Sequence, residues 1–202
     1  MNASAAIPLA SEDRQRADLY NFLGVLLAAP PDEMMLSQTA ALTGDETPLG
    51  EAVNTLAKLA RLTKPKMVAR EFNALFIGIG RGELLPYASY YMTGFLNEKP
   101  LALLRQDMAG LGLARSETVF EPEDNIASLM EIMGAMIAGR FDAPMTIETQ
   151  RGFFNKHIAP WARVFFSDLE AAEHSVFYAP VGTLGRTFIE IETEAFRLAG
   201  DA

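Results

Sequence analysis

Apolar residues recur every three to four positions along almost the whole chain, the spacing of α-helices that each bury one face. Leu19, Phe22, Leu23 and Leu26 form the first such face. Ser11 stands where a cap would, Glu12 and Asp13 fall in the positive first turn, and Pro30–Pro31 end the element. A short helix is expected from Asp32 to Leu42. Thr47 followed by Pro48 has the form of a cap with a first-position proline, and Leu49, Val53, Leu56 and Ala60 continue at helical spacing. Pro65 opens a segment that buries Phe72, Leu75 and Phe76 and stops at the glycine run Gly78–Gly82. Between Leu84 and Glu98 the period fails, and an aromatic-rich connection is expected there. Further helices are expected from Pro100 to Gly110, from Pro122 to Gly139, and across 146–156, 160–172 and 180–198.

Sustained two-residue alternation is missing, and the β-leaning runs at 90–92 and 175–178 are too short for a sheet. No internal repeat or low-complexity segment interrupts the chain. The expected fold is all-α: one helical bundle of roughly eight to ten helices. Residues 1–10 are expected to be a flexible N-terminus, and 11–202 the helical domain.

Composition narrows the function. With 202 residues the chain can bury a core without a disulfide or a metal, and it has no cysteine. Disulfides, thiolate metal sites and cysteine nucleophiles are excluded together. Twenty-six acidic residues against 17 basic ones give a net charge of −9. Such a surface repels phosphate backbones and favours basic partners, so no nucleic acid is expected. The N-terminus lacks the positive charge and apolar run of a signal peptide. The longest uncharged stretches, Leu19–Pro31 and Leu84–Asn97, are short of the ~20 apolar residues of a membrane helix. A cytoplasmic protein without stable membrane insertion is expected.

Three stretches can carry chemistry. In the first, Glu121-Pro-Glu-Asp-Asn-Ile-Ala-Ser-Leu-Met-Glu131, a helix opening at Pro122 would bury Ile126, Met130, Met133 and Ile137. Asp124, Ser128 and Glu131 would then share the opposite face, a row suited to guanidinium groups or simply a solvated face with a capping acid. No histidine is near enough in sequence to complete a metal shell. In the second stretch, Pro86, Tyr87, Ser89, Tyr90 and Tyr91 follow the glycine run. They can form an apolar peptide groove with hydroxyl handles, or pack inward to pin the loop. Gly78, Gly80 and Gly82 lack the Gly-Lys-Ser/Thr and the preceding strand of a phosphate loop. The third stretch joins His157, Pro160 and the sole tryptophan, Trp161, at a helix junction, where a hydrogen-bonded histidine in a packed corner is expected. With two histidines in the chain, no nucleophilic constellation can be assembled.

Taken in order, Glu-Phe-x-x-Leu-Phe at 71–76, Pro-Tyr-x-Ser at 86–89, Glu-Pro-x-Asp-Asn at 121–125 with Glu131, and His-Ile-x-Pro-Trp at 157–161 resemble the TorD/DmsD family of cytoplasmic molybdoenzyme chaperones. The resemblance spans about residues 15–198. It implies an all-helical, non-enzymatic protein, without a cofactor of its own. It further implies binding of the twin-arginine leader and body of an apo-molybdoenzyme catalytic subunit until molybdopterin is inserted. By position it points to Glu121, Pro122, Asp124, Asn125, Ser128 and Glu131, with Pro86, Tyr87, Ser89 and Tyr90, for the leader. Phe72, Phe76, His157, Pro160 and Trp161 are then structural. Asn125 stands where that family usually has histidine; it can donate and accept hydrogen bonds but cannot titrate near neutral pH. Two other classes compete: an accessory subunit that stays with a redox complex, and a nucleotide-hydrolysing enzyme, against which the missing Walker loop counts. A monomer and a homodimer, with Pro144 and Pro160 as hinges for helix exchange, both fit the sequence.

Overall fold

A computed structural model describes residues 9–113, 121–141 and 143–200. The expected flexible N-terminus lies, for residues 1–8, outside the described residues. Ten α-helices follow in order: α1 (Ser11–Ala28), α2 (Glu33–Ala40), α3 (Pro48–Leu62), α4 (Pro65–Phe72), α5 (Ala88–Thr93), α6 (Lys99–Gly110), α7 (Ile126–Ala138), α8 (Ile147–His157), α9 (Ala162–Ala171) and α10 (Tyr178–Leu198). A π-helical segment, Asn73–Ile77, extends α4. No strand occurs among the described residues, only one isolated antiparallel bridge between Tyr87 and Asn125. The all-α bundle expected from periodicity is what forms.

Local chemistry explains most boundaries. The Asp32 carboxylate accepts from Met35 N–H, Thr47 Oγ1 from Gly50 N–H and Thr146 Oγ1 from Thr149 N–H, so α2, α3 and α8 begin on side-chain caps. Ser11 differs from expectation. It is the first helical residue, and Ala10 before it supplies no side-chain cap. Two further expectations are corrected. The connection at 84–98 contains the short helix α5, whose few residues between turns leave no apolar period to read. The helix expected from Pro122 starts instead at Ile126, because Asn125 Oδ1 accepts from Ala127 N–H at 2.9 Å and takes the cap.

At the centre lies α7. Ile126, Leu129, Met130, Met133, Met136 and Ile137 all have 0% exposure, so the helix is buried around most of its circumference instead of along one stripe. Each such side chain contributes roughly 1.5–3 kcal/mol by leaving water. Against it packs α1, whose Tyr20, Leu23 and Leu26 are fully buried. Close approach requires glycine on both helices. A Cβ on Gly24 would sit 2.9 Å from Glu131 Cγ, and one on Gly134 would sit 2.6 Å from Asn21 Oδ1. α10 closes the bundle against α9 and α3. Its link to α1 is ionic: Arg16 Nε and Nη2 donate to the two oxygens of buried Glu192 at 2.8 and 2.9 Å, and the Tyr20 hydroxyl donates to Glu192 at 3.0 Å. Burial, then Glu192, pushes the Tyr20 phenol well above its ordinary pKa.

The start of α10 is capped from another helix. Glu71 on α4 accepts from the N–H groups of Val176 (2.8 Å), Phe177 (3.0 Å) and Tyr178 (2.7 Å). Glu83 accepts from Glu173 N–H and His174 N–H and pairs with His174 Nδ1 at 2.9 Å. Phe72 and Phe76 stack edge-on with each other and against Tyr178. Residues 71–76 thus tie α4 to α10. The expected histidine corner also forms. His157 ends α8, its Nε2 lies 2.7 Å from Asp107 Oδ2, and Trp161 Nε1 donates to His157 O at 2.8 Å. Burial lowers the His157 pKa, against the opposing pull of Asp107. No described helix is long and apolar enough to cross a membrane.

Candidate functional site

The site is built on a short pairing of two extended segments. Ala88 N–H donates to Asp124 O at 2.9 Å, and Ile126 N–H donates to Pro86 O at 2.8 Å. This pins the aromatic connection 86–88 beside the start of α7, joining two stretches that are far apart in the chain. At Tyr87 and Ala88, and again at Asp124 and Asn125, neighbouring side chains point to opposite sides, as they do along extended backbone. Pro86, Tyr87 and Asn125 face a groove, whereas Ala88 and Asp124 face a separate pocket.

The groove encloses about 370 Å³. Leu27 and Ala28 from the end of α1, with Phe72, Phe76 and Ile77 from α4 and its π-helical extension, give it an apolar wall. Its polar wall holds Glu121, Asn125, Ser128 and Glu131, so among the described residues the lining has two carboxylates and no basic residue. Tyr87 Oη donates to Glu121 Oε2 at 2.6 Å. Desolvation, then that bond, pushes the Tyr87 phenol up, so it remains a donor across the physiological range. Glu131 forms no hydrogen bond or ion pair with a described residue, and desolvation raises its pKa above the ordinary carboxylate value. Asn125 spends its carbonyl oxygen on the α7 cap, a role that asparagine fills well.

Six of the ten residues singled out for the leader therefore converge: Pro86, Tyr87, Glu121, Asn125, Ser128 and Glu131 line the groove. The other four sit elsewhere. Asp124 does not share a helix face with Ser128 and Glu131, because it precedes α7. It is 1% exposed, and its Oδ2 accepts from Ser89 N–H at 2.8 Å. Ser89 is fully buried beside it. The Tyr90 hydroxyl accepts from Arg81 Nη2 at 2.6 Å, and the guanidinium lies over the ring. Pro122 accepts through its carbonyl from Asn125 N–H and turns the chain into α7. Tyr91 packs against Trp161 and Phe165 and donates to Asp168, the inward packing that was the alternative for these aromatics.

The apolar wall was not legible as a site. Leu27 and Ala28 read only as the end of a core helix, and Ile77 as the end of another. Among the described residues, no three His, Asp or Glu side chains converge as a metal site. The groove offers charge and hydrogen bonds to a cationic, partly apolar ligand.

A sequence profile of the family described as nitrate reductase delta subunit matches residues 43–167, more than half of the chain. The chain belongs to this family. Within it the relatives are TorD-like. The chain is similar to the chaperone protein TorD of Aliivibrio fischeri, 28% identical over 96% of this chain and 99% of that one. It is also 28% identical to TorD of Vibrio atlanticus, over 94% and 97% of the two chains. Among solved structures, a redox enzyme maturation protein from Archaeoglobus fulgidus aligns with a TM-score of 0.57 and 21% identity, covering 94% of this chain and 99% of that one. That likeness bears on the fold. Together with the family match, the relatives make this a TorD-family molybdoenzyme maturation chaperone, a binding protein and not a catalyst.

Proposed function

We propose that this chaperone holds the catalytic subunit of an apo-molybdoenzyme in the cytoplasm by binding its twin-arginine leader, releasing it for export after molybdopterin insertion. The observation that carries this reading is the groove's lining: Glu121 and Glu131, with no basic residue among the described lining residues, facing Leu27, Phe72, Phe76 and Ile77. An arginine pair followed by an apolar segment is complementary to both walls. Guanidinium groups donate paired, charge-assisted hydrogen bonds to carboxylates, and the aliphatic residues cover the aromatic side. Pro86, Tyr87, Asn125 and Ser128 add hydrogen-bonding and shape along the same groove, while Asp124 and Ser89 hold the pairing that builds it.

Affinity capture from the native cytoplasm, with mass spectrometry of the captured proteins, tests this. A molybdoenzyme precursor with its leader intact is expected, and its yield should fall in the Glu121→Gln, Glu131→Gln double variant. The family's description as a subunit favours a second reading, an accessory protein that stays with the finished complex. Stoichiometric capture of the mature, cofactor-loaded enzyme would support that reading against the chaperone cycle.

A further inference from the structure

The turn between α3 and α4 carries the opposite charge to the chain as a whole. From Ala52 to Arg70 there is no acidic residue, while Lys58, Arg61, Lys64, Lys66 and Arg70 bring together five of the chain's 17 basic residues. α3 ends at Leu62 and α4 begins at Pro65, so Thr63 and Lys64 alone join them, and all five cations lie within about one and a half helical turns of that junction. Each of the five is exposed. Elsewhere arginines are committed: Arg16, Arg163 and Arg186 hold Glu192, Glu190 and Glu170 at 2.8, 2.8 and 3.0 Å. None of the five has an ion-pair partner among the described residues. Glu71, next in the chain, is engaged by the N–H groups at the start of α10.

Two large apolar side chains stand among these charges. Leu62 is 70% exposed and Met67 is 58% exposed, one on each side of the turn. The opposite faces of the same helices supply the core through Leu56, Ala60, Val68 and Phe72, so only an outside surface can cover Leu62 and Met67. Unpaired cations around protruding apolar side chains are the features by which a protein rests on the boundary of an anionic bilayer. The cations meet lipid phosphates, and the apolar side chains enter beside the acyl chains. An acidic protein would match the charge, but three of the five cations are lysines, which are depleted in protein interfaces where arginine is enriched. The net charge of −9 does not oppose this, because acids farther than about 8–10 Å from the bilayer are largely screened at physiological salt. We propose that the α3–α4 turn docks this chain, reversibly and without inserting a helix, on an anionic lipid surface. α4 and its π-helical extension continue from the patch into the groove's apolar wall through Phe72 and Phe76, so a docked chain holds its groove beside the headgroups. The proposal does not rest on the leader reading, since vesicles alone test it.

The test is co-sedimentation of the full chain with vesicles of phosphatidylcholine alone, and of phosphatidylcholine with about one-third phosphatidylglycerol to supply the negative surface. Binding is expected to the acidic vesicles only, and should be lost between about 0.1 and 0.5 M salt as screening grows. Lys64→Ser with Lys66→Ser should weaken it about 25-fold, at about fivefold per cation. Leu62→Ser with Met67→Ser should weaken it roughly tenfold and leave the salt dependence unchanged, since apolar contact is removed and charge is not. All four positions are exposed, so both double variants keep the fold, which far-UV circular dichroism checks. Equal binding to the two vesicle types, no binding to the acidic ones, or unchanged affinity in either double variant would overturn the proposal. Soluble poly-L-glutamate binding as tightly as the acidic vesicles, with Leu62→Ser and Met67→Ser without effect on it, would overturn it in favour of an acidic protein partner.

Discussion

Two sets of glutamates in this chaperone differ in what surrounds them, and their difference separates what holds the fold from what is free to bind. Glu71, Glu83 and Glu192 are saturated: each takes three or more hydrogen bonds from N–H, ring or hydroxyl donors of distant segments. Glu71 joins α4 to the start of α10, Glu192 joins α10 to α1, and Glu83 joins the connection after the π-helical segment to the one before α10. In the groove, Glu121 receives one neutral donor, the Tyr87 hydroxyl, and Glu131 receives none from a described residue. Both sets are glutamates on or beside helices. What differs is whether the fold supplies the hydrogen-bond donors, or leaves them to the ligand.

The largest expected effect comes from breaking the saturated set. Glu192→Ala leaves Arg16 partly buried without its bidentate partner and should cost about 3–5 kcal/mol of stability, read from chemical denaturation. Glu71→Ala removes the shared acceptor of three N–H groups at the start of a 21-residue helix, and about 2 kcal/mol is expected. Neither change should alter leader affinity at a temperature where the variant is folded. The groove set should behave in the opposite way. Glu121→Gln and Glu131→Gln should each weaken binding of a twin-arginine leader roughly tenfold by calorimetry, with stability changed by less than about 0.5 kcal/mol.

The smallest effect is a matter of sign. Desolvation raises the Glu131 pKa in the folded chain, so its carboxyl binds a proton more tightly folded than unfolded. Its contribution to stability is therefore full below the ordinary glutamate pKa of ~4.3 and is lost as pH rises through the raised folded value. Glu131→Gln should then raise Tm slightly at neutral pH, with the gain fading at acid pH. A loss of Tm at pH 7 would move Glu131 into the saturated population.

How much of this was legible follows from the same division. Helix period, prolines and the Thr47 cap are local signals, so the bundle and most of its boundaries could be read directly, although the cap expected at Ser11 does not form. The start of α7 was misread because Pro122 and Asn125 both carry start signals, and tertiary pairing with residues 86–88 selects the second. That same pairing turns Asp124 inward, away from the row predicted with Ser128 and Glu131. A helical wheel cannot show this, because Asp124 is not on the helix. The role of Glu71 was equally hidden, since its donors lie more than a hundred residues away. Glu121 and Glu131 were legible as candidates, but the apolar wall opposite them came only from three-dimensional packing.

Arginine recognition by the unsaturated carboxylates underlies all of the proposed leader binding. Its most direct test is a ¹H–¹⁵N titration of the full chain with the leader peptide of a captured client, beside the same peptide with both arginines replaced by glutamine. The native peptide is expected to shift resonances clustered at 27–28, 72–77, 86–87 and 121–131, and the glutamine peptide to bind at least tenfold more weakly. Equal affinity of the two peptides, or shifts centred away from these residues, would contradict it.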